Sequence, residues 1–154
     1  MKATVVATIL LLACVVAGVS VAAKGTTVKL VISGGHLDSP VDITGKDVVF
    51  ANPWGDGFVA DWKSIPPPPT TSPRYEVSFY EELGPRNVKM MYIVEYSRDV
   101  HGRGAIYLPG HGDPRYRLNV STILRDEKDG QWFPASDEWD RIVGSHLPRI
   151  SSAR

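Results

Sequence analysis

The stretch YLPGHGDPRYRLNV, residues 107 to 120, gathers the residue types that do chemistry in proteins. His111 stands two residues from Asp113, a spacing at which a carboxylate can orient an imidazole for general-base work. Gly110-His111-Gly112 opens like the fingerprint of a dinucleotide loop, but the third glycine is missing. Residues 115–124 also alternate like a strand, so no helix N-terminus stands ready for a phosphate. His111 and Asp113 match part of a metallohydrolase pattern, yet no second histidine lies two residues away. The alternation of the intervening residues places His101 at the far end of a strand, roughly 20 Å off, too far for one metal ion. A plainer reading accounts for each residue. The glycines supply positive φ, the prolines fix φ, Asp113 caps its own turn, and the arginine stems cover aromatic faces.

Other signatures are absent. No serine after the leader sits in Gly-x-Ser-x-Gly or Ser-x-x-Lys, the common contexts of a serine nucleophile. Glu81-Glu82 reads as a solvated hairpin end, since neighbours on a strand face opposite ways. The acidic run Asp126 to Gly130 has Arg125 where an EF-hand needs its first ligand and Ser136 at position twelve. Asn119-Val120-Ser121 is a glycosylation sequon that the alternation places within a strand. These absences assign no catalytic residue, no metal and no cofactor. The residues left as ligand-binding candidates are Tyr107, His111, Asp113, Arg117 and Trp132. Tyrosines and tryptophans with arginines nearby suit a protein, peptide or carbohydrate partner.

These residues must be carried by strands. Val28, Leu30 and Ile32 alternate with polar neighbours up to Gly34-Gly35, and short runs occupy 41–43, 48–50 and 58–62. Residues 65–73, IPPPPTTSP, cannot sustain ladder hydrogen bonds and read as an exposed polyproline connector. Beyond it Tyr75, Val77 and Phe79 share one face of a strand. After the turn Gly84-Pro85-Arg86-Asn87, Val88, Met90, Tyr92, Val94 and Tyr96 share one face of the next. "AIYLP" is a third strand and "RYRLNVSTIL" a fourth, with Tyr116, Leu118 and Val120 aligned. Asp129-Gly130 then turns the chain into Gln131-Trp132-Phe133. Only the end has helical spacing. Ser136 is a good N-cap, Trp139, Ile142, Val143 and Leu147 form one apolar stripe, and Pro148 stops it.

The N-terminal 25 residues carry one early charge, Lys2, before an apolar run to about Ala23. Small residues at 20–23 fit a signal-peptidase site after Ala22 or Ala23. About 20 apolar residues also suffice for a retained anchor. Leu11-Leu12-Ala13-Cys14 resembles a lipobox, which would make Cys14 a lipidation site. Cys14 is the chain's one cysteine, so the mature domain has neither a disulfide framework nor a thiolate site. Basic and acidic residues number 17 each, and loss of Lys2 leaves one net negative charge. That balance gives no electrostatic reason to expect nucleic acid.

The blocks PRYEVSFY, IYLPGHGDPRYRLNVSTILR and QWFPASDEW resemble a family of small exported bacterial proteins of unknown function, over roughly residues 28 to 143. The resemblance implies bacterial origin and export, and it carries no functional residues with it.

The expectation is therefore an α+β domain over 24–147, mainly an antiparallel β meander with a short C-terminal helix packed on the sheet. Residues 1–23 precede it as signal peptide or anchor, and 148–154 form a tail. The expected role is a non-enzymatic binding or interaction module, secreted or periplasmic, touching membrane only through an uncleaved leader. Two alternatives stand beside it: a small extracytoplasmic hydrolase using His111 and Asp113, and a membrane-tethered structural accessory.

Overall fold

A computed structural model describes residues 25–48, 57–99, 101–122 and 127–148. The leader, Val49-Phe50, most of the turn cluster at 52–57, and the tail after Pro148 lie outside the described residues.

Six strands form one antiparallel sheet: β1 (Thr26–Gly34), β2 (Val41–Thr44), β3 (Arg74–Glu82), β4 (Val88–Arg98), β5 (Gly104–Tyr107) and β6 (Trp132–Pro134). Their spatial order is β2-β1-β3-β4-β5-β6. The alternation read from the sequence sorts side chains as expected. Leu30, Ile32, Tyr75, Val77, Phe79, Tyr92, Val94, Tyr96, Ile106 and Phe133 point into one core. A bulge between Thr27 and Lys29 in β1 shifts the register, so Thr27 is buried and Val28 is not. A second bulge between Phe79 and Tyr80 in β3 accompanies the loss of burial at the start of β4, where Val88 and Met90 are exposed.

Helix α2 (Asp137–Ser145) covers the core face. The Ser136 hydroxyl accepts from the Trp139 amide at 3.1 Å, the expected cap. Trp139, Ile142, Val143 and Leu147 are all buried, and the Trp139 indole stacks on Phe79 with centroids 5.7 Å apart. Two contacts fix the helix against the sheet. The Tyr96 hydroxyl donates to Asp140 at 2.6 Å, and the other Asp140 oxygen accepts from the Gly104 amide at 2.8 Å. Burial, reinforced by the Asp140 carboxylate, raises the Tyr96 phenol above its ordinary value. At the other end Arg98 donates to the Gly144 carbonyl at 3.1 Å, where the helix dipole is negative.

Four expectations are corrected. The predicted fourth strand is a helix, α1 (Tyr116–Thr122). Asp113-Pro114 starts a turn, Leu118 and Asn119 bond back to the Arg115 carbonyl, and tertiary contact overrides the period-two pattern. The run 58–62 is no strand. Val59 makes a single bridge to Ala135, while Phe58 packs on Phe79 and Trp139. Val48 ends a 3-10 turn (Gly45–Val48) rather than starting a strand. Glu81, read as a solvated hairpin end, is wholly buried, because the first bulge turns Thr27 and Gly25 onto it.

The connection from β2 to β3 wraps one edge of the sheet. Phe58 lies on the core face, Val59 bridges Ala135, and Ile65 bridges Trp132 along the free edge of β6. The proline run Pro66–Pro69 then returns over the opposite face, where it meets Ser97, Ala105 and Pro134. The connector is thus a strap held at both ends, with Pro66, Pro67 and Pro69 exposed.

Candidate functional site

The face of the sheet opposite α2 carries the charged residues of β3, β4 and β5. Register places Glu76 directly across from Glu95, a like-charge pairing that destabilises a sheet unless a cation intervenes. Arg115, from the turn before α1, supplies it. Its guanidinium lies 3.3 Å from Glu95 and 3.7 Å from Glu76, and it grips Asp113 through two nitrogens at 2.9 and 2.6 Å. Arg74 donates to the other Glu95 oxygen at 2.9 Å and to the Pro68 carbonyl at 3.0 Å. The result is an alternating series Asp113–Arg115–Glu95–Arg74. Arg115 holds the Asp113 carboxyl below its ordinary value, and its own guanidinium is held more firmly protonated by Asp113.

Two aromatic residues flank this series. Tyr107 is cross-strand from both Glu95 and Trp132. The two rings lie 5.3 Å apart, and Arg74 caps the Trp132 ring at 4.4 Å. Together Arg74, Glu95, Tyr107, Asp113, Arg115 and Trp132 line an open depression of about 370 Å³.

The structure thus brings together three of the five candidates, Tyr107, Asp113 and Trp132. Arg117 is exposed on α1, outside the depression. His111 is also exposed, with its ring 4.8 Å from Tyr116, while Asp113 turns to Arg115. No hydrogen bond or ion pair joins His111 to an acid among the described residues, so the pairing that a hydrolase would need is not formed. No cluster of three histidines or acids able to hold a metal occurs among the described residues.

The glycines of the opening motif have structural tasks. Gly110 touches Gly130 backbone to backbone, and a Cβ on it would fall 2.5 Å from the Gly130 Cα. Gly112 adopts φ +94°, in the region glycine favours. Asp113 accepts from the Arg115 amide at 2.8 Å, an Asx turn that leads into the helix. The loop is a turn, and its one outward-reaching contribution to the depression is the Asp113–Arg115 pair.

Sequence reasoning missed Arg74, Glu95 and Arg115. Alternation already placed Arg74, Glu76 and Glu95 opposite the core, but only the strand register shows two glutamates facing each other and in need of a cation. The sequon was also misplaced. Asn119 is buried on α1, accepts from the Ile93 amide at 2.9 Å and donates to the Ile93 carbonyl at 2.5 Å. It replaces the backbone partner that β5, ending opposite Glu95, does not supply. No known protein family, curated protein or solved structure matches the chain.

Proposed function

We propose that this chain is an exported, non-enzymatic binding module that engages a protein or peptide through the sheet face opposite α2. The observation that carries the reading is the half-exposed Tyr107 ring set among Glu95, Asp113, Arg115 and Arg74, side chains from four separate segments. An aromatic anchor rimmed by polar groups is the composition of protein-recognition surfaces. A sugar ring stacks on a bare aromatic face, whereas Trp132 is only 8% exposed and already carries Arg74. That favours a peptide over a carbohydrate. Every guanidinium and carboxylate of the Asp113–Arg115–Glu95–Arg74 series is engaged in an ion pair, so the site offers recognition groups rather than a free base or nucleophile.

Panning a random-peptide library against the folded domain tests the reading, with amide shifts mapping where enriched peptides bind. Peptides that shift Arg74, Glu95, Tyr107 and Asp113, and that bind Tyr107→Ala at least tenfold more weakly, are the expected result. Peptides that map elsewhere, or a hydrolytic turnover abolished by His111→Ala, would overturn it. Export rests on the leader and on the block resemblance. Mass spectrometry of the mature N-terminus separates cleavage after Ala22 or Ala23 from lipidation at Cys14 and from a retained anchor.

A further inference from the structure

Under the proline strap lies a second, larger cavity of about 530 Å³, separate in lining from the charged depression. Its walls are Pro66–Pro69 of the strap on one side and Ala105 and Pro134 of the sheet on the other. Its floor includes Ser97, which is 0% exposed and whose hydroxyl has no hydrogen-bond partner. Asp99 and Arg103, paired at 2.8 Å, line the rim, with the Arg103 side chain 80% exposed. A buried hydroxyl left without a partner is unfavourable, and alanine would fill the same place without that loss. A serine held there in an otherwise apolar wall marks where a ligand's polar atom belongs.

We propose that this cavity is a binding site for a small aromatic molecule bearing one hydrogen-bond acceptor, such as an aryl ketone. The volume lies in the range of small-molecule pockets. Proline rings and aromatic faces pack well on each other, as when proline-rich peptides dock in aromatic grooves. Here the protein provides the prolines and the ligand the ring. Ser97 donates its hydroxyl proton to the ligand's carbonyl oxygen at the closed end, and the Asp99–Arg103 pair stands over the open one. The strap is anchored by Ile65 at Trp132 and by Pro68 at Arg74, so the walls are in place before the ligand arrives.

Acetophenone and its hydrocarbon isostere α-methylstyrene are the probes, monitored by amide shifts in the full domain. The site predicts saturable shifts for acetophenone at Ile65, Ser97, Arg103, Gly104 and Ala105. Ser97→Ala should keep the native spectrum, bind acetophenone about five- to twentyfold more weakly, and leave α-methylstyrene unchanged or tighter. Ala105→Met, which fills the floor, should abolish both. Shifts scattered outside the cavity, no saturation by either probe, or equal acetophenone affinity in Ser97→Ala would each overturn the proposal. None of these results depends on the Tyr107 surface, so peptide recognition stands or falls separately.

Discussion

Replacing Arg115 by alanine should reverse the way the protein responds to acid. In the native protein Arg115 lies among three carboxylates, and the side chains of Asp113, Arg115 and Glu95 are only 15%, 23% and 19% exposed. An exposed ion pair contributes about 0–1 kcal/mol, and stranding one partner of a buried pair costs about 3–5 kcal/mol. Glu76, at 41% exposed, is the weakest of the three partners. Loss of Arg115 at pH 7 therefore costs about 2–3 kcal/mol, an intermediate value for an intermediate burial. That is a melting point lower by roughly 10 °C for a domain of this size.

The sign with pH is the sharper test. The native Asp113 carboxyl is held down, so its contribution is complete above the ordinary carboxylate range, near about pH 4. It is lost as pH falls through the depressed value. In Arg115→Ala the same carboxylates repel one another across the Glu76–Glu95 register, and protonation relieves them. Urea unfolding at pH 7 and pH 5 reads both effects. The native protein should be nearly level over that interval, while the variant recovers about 1 kcal/mol on acidification, the scale of one relieved charge contact. A variant within about 0.5 kcal/mol of native at pH 7, a size ordinary for surface substitutions, with no recovery at pH 5, would refute the role given to Arg115.

Asn119→Ala strands both polar groups of Ile93 and should cost about 2–4 kcal/mol in urea unfolding, with faster hydrogen exchange at the Ile93 amide. Gly110→Ala forces the Gly110–Gly130 backbones apart and should destabilise by about 1–3 kcal/mol, whereas exposed His111→Ala should lie within about 0.5 kcal/mol of native. Tyr96→Phe removes one of the two contacts that set α2 and should cost about 1–2 kcal/mol by thermal unfolding. Because burial and Asp140 raise the Tyr96 phenol, spectrophotometric titration should show one tyrosine that stays protonated after the exposed tyrosines have ionised.

The core was legible because period-two and period-3.6 patterns report burial directly. Tyr75, Val77 and Phe79 on β3, and the Trp139 stripe with its Ser136 cap, fell where their spacing put them. Short segments were not legible on the same terms. Tyr116, Leu118 and Val120 alternate like a strand, and the helix there depends on Asp113-Pro114 and on Asn119 reaching a distant backbone pair. A bulge displaces a register by one residue without any mark in the hydrophobic pattern, which is why Thr27 and Glu81 proved buried. The depression was half visible. Its aromatic members were found by type, and its ionic members needed the β3–β4 pairing, a contact between residues about twenty positions apart in sequence.

The strap also constrains the order of assembly. Gly57 receives a hydrogen bond from Ser136, 79 residues downstream, and the strap's other clasp is Trp132. A chain emerging N-terminus first can form β1 with β2, and then β3 with β4, while residues 57–69 still dangle. Only the arrival of the last turn of sequence gives that loose length something to fasten to. Shortening the chain from its C-terminal side should accordingly unbuckle a segment made some seventy residues earlier, and a ribosome or translocon holding the final strand back would keep the whole sheet open.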